Sequence, residues 1–219
     1  VVEETWTRYT VSMYCEDMEM DMHMDKDREH GRGGRPRSEQ ARTAILHAVD
    51  DLLLEMGYAA VTMKGIAQRA GVSRQTVYRW WSHKAEILFE ASVIDAQQEL
   101  AVSPAADPLD DLTAYLEALI RFLAHSPAGA AYRALVGEAQ HDAAVAKLLS
   151  SKDLLGDSAR VVIERAIGEG NLPIPLDQAT ALLIGPTFFW ILSGRNADHL
   201  VPRELAKDFI HDLQARLSH

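Results

Sequence analysis

Arg74, Gln75, Tyr78 and Arg79 fall on one side of a short segment whose other side carries Val77 and Trp81. An arginine presents a planar fork of N–H donors that fits two acceptors on guanine, and a glutamine pairs a donor with an acceptor as adenine requires. This is the chemistry of reading a base edge, and it makes or breaks no covalent bond. Patterns that do such work, a phosphate-cradling P-loop, a dinucleotide fingerprint, H-E-x-x-H, G-x-S-x-G or paired cysteines, are missing from the chain. The alternation of Met18, Met20, Met22 and Met24 with acidic residues, near His23 and His30, lacks the fixed spacing of a metal site. No catalytic residue, metal or cofactor is therefore expected. The single cysteine, Cys15, excludes an internal disulfide framework.

Such a face is useful only if the chain holds it outward. Thr62 is placed to cap one helix, whose inward residues are Met63, Ile66, Ala67 and Ala70, and Gly71 closes it. Ser73 caps the next helix, with Val72 and Val77 at the two positions of a hydrophobic staple. Two helices joined by so short a turn need a small residue where they approach, which Ala67 supplies, and a glycine at the turn itself. A polar helical hairpin facing water would need none of these features together. Their agreement predicts a helix-turn-helix that reads DNA.

Upstream, Ser38 reads as the N-cap of a helix carrying Ala41, Ile45, Val49, Leu52 and Leu53 inward and ending at Gly57. Downstream, a fourth helix is expected from Lys84 to about Leu100. Pro104 and Pro108 open a second region with helical periodicity over 109–123, 128–140, 143–167 with a break near Gly156, 176–192 and 203–217. No segment alternates like a half-buried strand. The expected fold is all-α, with a tail and arm over 1–37, a helix-turn-helix domain over 38–88 and a helical effector-binding and dimerisation domain over 89–219.

Charge follows the same division. Residues 1–31 carry net −6, residues 32–90 net +3 and residues 91–219 net −7. The formal total of −10 seems hostile to a polyanion. Local potential is what steers binding, and the basic stretch is the one with the reading face.

The run from Thr62 to Lys84, Thr-Met-Lys-Gly-Ile-Ala-Gln-Arg-Ala-Gly-Val-Ser-Arg-Gln-Thr-Val-Tyr-Arg-Trp-Trp-Ser-His-Lys, resembles the TetR-family signature. The likeness is close over about residues 38–90. Beyond them it rests on helix pattern and on Gly185-Pro186-Thr187-Phe188-Phe189-Trp190, similar to a stretch in many members. The resemblance implies base or groove contacts from Lys64, Arg74, Gln75 and Thr76, and phosphate contacts from Thr62, Tyr78, Trp80 and Lys84. Trp80 stands where His or Tyr is usual, and Ser82-His83 replaces a more basic pair. The implied protein is a homodimeric repressor on palindromic double-stranded operator DNA, released by a small-molecule effector.

The acidic stretch to Glu29 is expected to be disordered. Next to it, Arg32, Arg35 and Arg37 lie among glycines and a proline, a composition that should exclude a helix. Gly34-Arg35-Pro36 is similar to segments that lay arginine in a narrow A·T minor groove, and a solvated basic linker is the other reading.

The 176–192 helix is apolar on nearly every side and must bury all of its faces, one plausibly on a second subunit. Leu183, Phe188, Ile191, Phe209 and Leu213 are the expected dimer contacts. Tyr115, Leu119, Phe122, Tyr132, Phe189 and Trp190 are the expected effector-pocket residues, with His125 and His141 as polar handles. Pro186 should kink its helix. No apolar run is long enough to span a membrane, and the acidic N-terminal stretch is unlike a signal peptide, so a cytoplasmic protein is expected. A ligand-independent architectural DNA-binding protein is the alternative. It would need fewer than the roughly 120 residues of the C-terminal region and a more positive charge.

Overall fold

A computed structural model describes residues 35–168 and 170–218, and every described element is helical. Ten α-helices follow in order: α1 (Arg35–Ala60), α2 (Met63–Arg69), α3 (Arg74–Tyr78), α4 (Lys84–Glu99), α5 (Pro108–His125), α6 (Pro127–Glu138), α7 (Ala143–Ser150), α8 (Leu154–Ile167), α9 (Leu176–Leu192) and α10 (Pro202–Leu217). A 3-10 turn, Ala197–His199, lies before α10.

Helix α1 differs from expectation at its start. Arg35, Pro36 and Arg37 are helical, and Ser38 lies inside the helix rather than capping it. Proline is tolerated there because the first-turn N–H it lacks has no helical acceptor. At the other end Gly57 takes a left-handed φ of 72° and breaks the helix as its residue type requires. The acidic stretch and Arg32 lie outside the described residues.

The 143–167 segment is two helices. Its break falls at Ser151–Asp153 rather than Gly156, because the Asp153 carboxylate caps α8 by accepting the Gly156 N–H at 3.0 Å. Helix α9 continues through Pro186.

Two apolar clusters form the interior. One packs Ile45, Val49, Leu52 and Leu53 of α1 on Ile66, Ala67, Val77 and Trp81, with Ile87 and Leu88 of α4 beneath. It also takes in Ala131 and Leu135 of α6 and Val145 of α7. The other surrounds α5, whose Leu112, Tyr115, Leu116, Leu119 and Phe122 are fully buried among α8, α9 and α10. Helix α4 serves both: Ala85 to Ala91 lie in the first cluster, and Ala96 and Leu100 in the second. The reading face is thus tied to the larger helical body through one continuous helix.

The dimer contacts need correction. Leu183 is 2%, Phe209 4% and Leu213 3% exposed, so they are already spent on the core of their own subunit. Helix α10 packs closely on α5, and this contact buries its stripe. Phe188 and Ile191 remain half-buried, while Phe189 stands 63% exposed. Helix α9 therefore leaves one side uncovered within one subunit, where the sequence places a second copy. Its outer side is an apolar strip facing away from the core.

Candidate nucleic-acid interface

The turn between α2 and α3 is built as its residue types require. Thr62 Oγ1 accepts the Gly65 N–H at 3.0 Å, and Ser73 Oγ accepts the Thr76 N–H at 3.1 Å. Gly71 has φ 66°, and the Val72 N–H reaches back to the Ala67 carbonyl at 3.0 Å. Val77, fully buried, pins α3 to α1 and α2, which leaves Arg74, Gln75, Tyr78 and Arg79 outward. Ser73, Gln75, Thr76, Tyr78 and Arg79 wall a shallow depression on this surface. The Thr76 hydroxyl is held 2.8 Å from Ser73 Oγ, so its methyl is the freer group for an apolar contact with a base.

Cations on this face are held by aromatic rings rather than by acids. The Arg74 guanidinium carbon lies 6.0 Å from the Tyr78 ring centre, and that of Arg79 4.5 Å from Trp80. Ring stacking fixes a guanidinium while leaving its N–H edge able to donate. Arg79 also donates to Ser38 Oγ at 3.2 Å, joining the end of α3 to α1. Arg79 was absent from the set carried over by resemblance, although its outward spacing in the sequence was the available signal. Lys64 and Thr62 are exposed beside α3. Trp80 is half-buried under Arg79 and packs edge-on against Trp81 at 5.7 Å. Trp81 in turn donates from Nε1 to Glu90 at 2.9 Å, and Arg42 pairs with that same carboxylate. Helices α1, α3 and α4 are thus clamped behind the reading face. Arg35 lies in the first turn of α1, and its side chain is outside the described set.

Lys84 is the main departure. Its ammonium donates to the carbonyls of Tyr58 at 2.9 Å and Val61 at 3.1 Å, and sits 4.2 Å from the Tyr58 ring centre. Those carbonyls lie just past the break at Gly57, where the Tyr58 carbonyl also accepts the Val61 N–H at 3.3 Å, and a cation there adds a second, charged donor. Burial pushes the Lys84 pKa down, with Glu138 opposing. A lysine so engaged is a strut between α1 and α4 rather than a free phosphate ligand. Lys84→Ala is expected to lower unfolding stability by about 2 kcal/mol, the range for a lost charged hydrogen-bond donor. It should leave the salt slope of DNA binding nearly unchanged. Urea denaturation beside anisotropy titrations at several salt concentrations checks both, and a flattened slope with unaltered stability would restore the phosphate role.

The expected effector residues are scattered. Tyr115, Leu119 and Phe122 are fully buried core, and the Tyr115 hydroxyl lies 3.0 Å from Ser158 Oγ. His125, His141 and Phe189 are exposed, and Trp190 donates to the Asn196 carbonyl at 2.8 Å. Tyr132 alone of the eight lines an open groove among α6, α8 and α9, of about 520 Å³, with Leu155, Ile184 and Phe188. Phe188, a residue expected at the dimer contact, thus faces this groove. At the rim, Arg160 holds Asp153, Asp157 and Asp177 at 3.0, 2.8 and 3.1 Å. Burial pushes the Tyr132 hydroxyl up to about 12, so it stays a neutral donor. Among the described residues, no group of acidic, His or Cys side chains is arranged to hold a metal, and no helix is long and apolar enough to cross a membrane.

Comparison with known proteins agrees with this architecture. Residues 45–91 match the family model "Bacterial regulatory proteins, tetR family", and residues 104–211 match "Tetracyclin repressor-like, C-terminal domain". The HTH-type transcriptional regulator YdeS of Bacillus subtilis is 34% identical over 187 residues, 83% of this chain and 94% of its own. A crystal structure of the TetR family transcription regulator SCO0332 superposes with a TM-score of 0.63 at 25% identity, over 78% of this chain and 97% of that one. The structure of RolR in complex with resorcinol has the same fold, with a TM-score of 0.60 at 18% identity over 83% and 93% of the two chains. With both family models matched in order and the outward polar face of α3, the caps and the turn in place, the chain belongs to the TetR family of DNA-binding transcriptional regulators.

Proposed function

We propose that this regulator is a homodimeric repressor that holds a palindromic operator until a small molecule bound in the C-terminal body releases it. The observation that carries the reading is the outward face of α3, with Arg74 and Gln75 exposed beside the ring-held Arg79 and backed by the buried Val77. In this reading Lys64, Arg74, Gln75 and the Thr76 methyl meet base edges, and Thr62, Tyr78 and Trp80 meet the backbone. One such helix spans only a few base pairs, so two copies must act together. The exposed Phe189 and half-buried Ile191 offer the apolar strip on which a second copy would pack. The groove lined by Tyr132 and Phe188 is the effector's place, and RolR, of the same fold, is known with a small phenolic ligand. Arg35, one turn ahead of Ser38, would continue the contact along the flanking groove.

The test is Arg74→Ala. Operator fragments are first recovered by sequencing the DNA that the purified protein retains from a random pool. The variant is expected to lose about tenfold or more in affinity and to relax its preference at one position of each half-site, as removal of a bidentate base contact does. Wild-type affinity and preference in the variant would refute the reading face.

A further inference from the structure

Val49 of α1 and Ala91 of α4 are buried in the same apolar cluster. Beside them lie carboxylates on both helices rather than opposite charges. Asp50 follows Val49 on α1, Asp95 lies one turn beyond Ala91 on α4, and Glu99 one turn further. All three are half-buried. Asp50 Oδ1 is closed off from solvent and has no hydrogen-bond partner among the described residues. Neither Asp50 nor Asp95 joins an ion pair among those residues. Glu99 does have a partner, since it accepts the Ser126 hydroxyl at 2.7 Å.

The surrounding charges leave the two aspartates uncompensated. His47 of α1 is the basic group that acts on Asp95, and it is exposed. Asp51 adds another like charge beside Asp50. Arg121 of α5 acts on Glu99 instead. Arg133 and Glu138 of α6 and Lys147 of α7 form no ion pair with either aspartate among the described residues. A carboxylate shut away without a donor or a cation is costly when charged and much less so when neutral. Burial first, then the charges of Asp95 and Asp51, push the Asp50 pKa up to about 7. Burial also pushes Asp95 and Glu99 up, opposed by His47 for the one and by the Ser126 hydroxyl for the other.

We propose that a proton on Asp50 seats α1 on α4, so that operator binding weakens as the surroundings turn alkaline and Asp50 and Asp95 both carry charge. The effect on DNA, though not the effect on folding, presupposes the repressor reading. Helix α1 reaches the α3 face where Arg79 donates to Ser38, and α4 continues into the larger cluster around α5. The joint between them therefore sets how firmly the reading face is carried. The folded Asp50 pKa lies above the unfolded value near 4, so the folded chain holds the proton more tightly. Stability is gained as pH falls through about 7, and that gain is absent above it.

Urea unfolding between about pH 6 and pH 8 tests the joint without DNA. Relative to Asp50→Asn, the wild type is expected to gain about tenfold in its folding constant from pH 8 to pH 6, the linkage of one such proton. Asp95→Asn should remove only part of this gain, because Asp50 stays buried. Asp51→Asn, on the exposed side, should keep most of it. In anisotropy titrations of operator DNA, wild-type affinity should fall several-fold toward pH 8 and more steeply than that of Asp50→Asn. Parallel unfolding profiles for the wild type and Asp50→Asn would overturn the proposal, as would equal flattening by Asp51→Asn. Parallel affinity profiles beside divergent unfolding profiles would overturn it too, since the joint would not reach the DNA. A wild type that retained no DNA at any pH would instead sink the repressor reading, while the unfolding comparison still decided whether the proton seats α1.

Discussion

Arg165→Met is expected to lower the unfolding free energy by about 3–5 kcal/mol, the usual effect of removing one partner of a buried ion pair. Asp111 is 2% exposed and accepts from Arg165 Nε at 2.7 Å and from the Ala105 N–H at 2.5 Å. The pair fixes the segment between α4 and α5 against α8, since Arg165 also reaches the Val102 carbonyl. Deleting the guanidinium leaves a carboxylate in the interior with a single N–H partner. The double variant Asp111→Leu with Arg165→Met should recover most of the loss, because neither charge then has to be desolvated. Urea unfolding of the two single variants and the double variant measures the coupling directly. Equal and additive losses would mean that the two residues act separately.

The same pair sets an acid limit. Burial by itself would raise the Asp111 pKa, but the bonds from Arg165 and from the Ala105 N–H outweigh it, and the folded value lies below the usual carboxylate range. A depressed folded pKa contributes stability that is fully present above the unfolded value near 4. It is lost as pH falls through the folded value. The stability difference between the wild type and the double variant is therefore expected to shift in favour of the variant below about pH 4. An unchanged difference from pH 7 to pH 3 would show that Asp111 does not titrate differently on folding.

Gly129→Ala is expected to destabilise the chain by about 3 kcal/mol, the upper end for overpacking a close contact. A Cβ at Gly129 would lie 1.8 Å from the Phe122 carbonyl oxygen and 2.7 Å from its carbon. These are backbone atoms of the last turn of α5, so α6 would have to move off α5 as a body. The same change at Gly137, where nothing lies within 4 Å, should be neutral or stabilising by up to about 1 kcal/mol, because alanine is the better helix former. Thermal unfolding of the two variants compares one chemical change in two settings. Equal melting temperatures would show that α6 can shift at no cost.

Much of this molecule was legible from residue types and spacing alone, because the deciding interactions are local. Thr62, Ser73 and Gly71 act within three or four residues of themselves, so cap and turn could be read directly and were found in place. The inward side of α3 follows from a period of 3.6 residues, and Val77 and Trp81 are buried accordingly. The charge division needed only counting. What failed depended on which neighbour a helix face meets. Phe209 and Leu213 form a stripe that suits a partner subunit and suits α5 equally well, and the tertiary packing chose α5. Lys84 carries a charge that suits a phosphate or a frayed helix end. The carbonyls of Tyr58 and Val61, more than 20 residues earlier in the chain, decided for the helix end. Aromatic residues at helical spacing are equally good core and cavity wall, so Tyr115 and Phe122 went to the core while Tyr132, on a neighbouring helix, lines a groove. Local backbone chemistry is written in the sequence, whereas the identity of the surface opposite each apolar face exists only once the helices have been packed together.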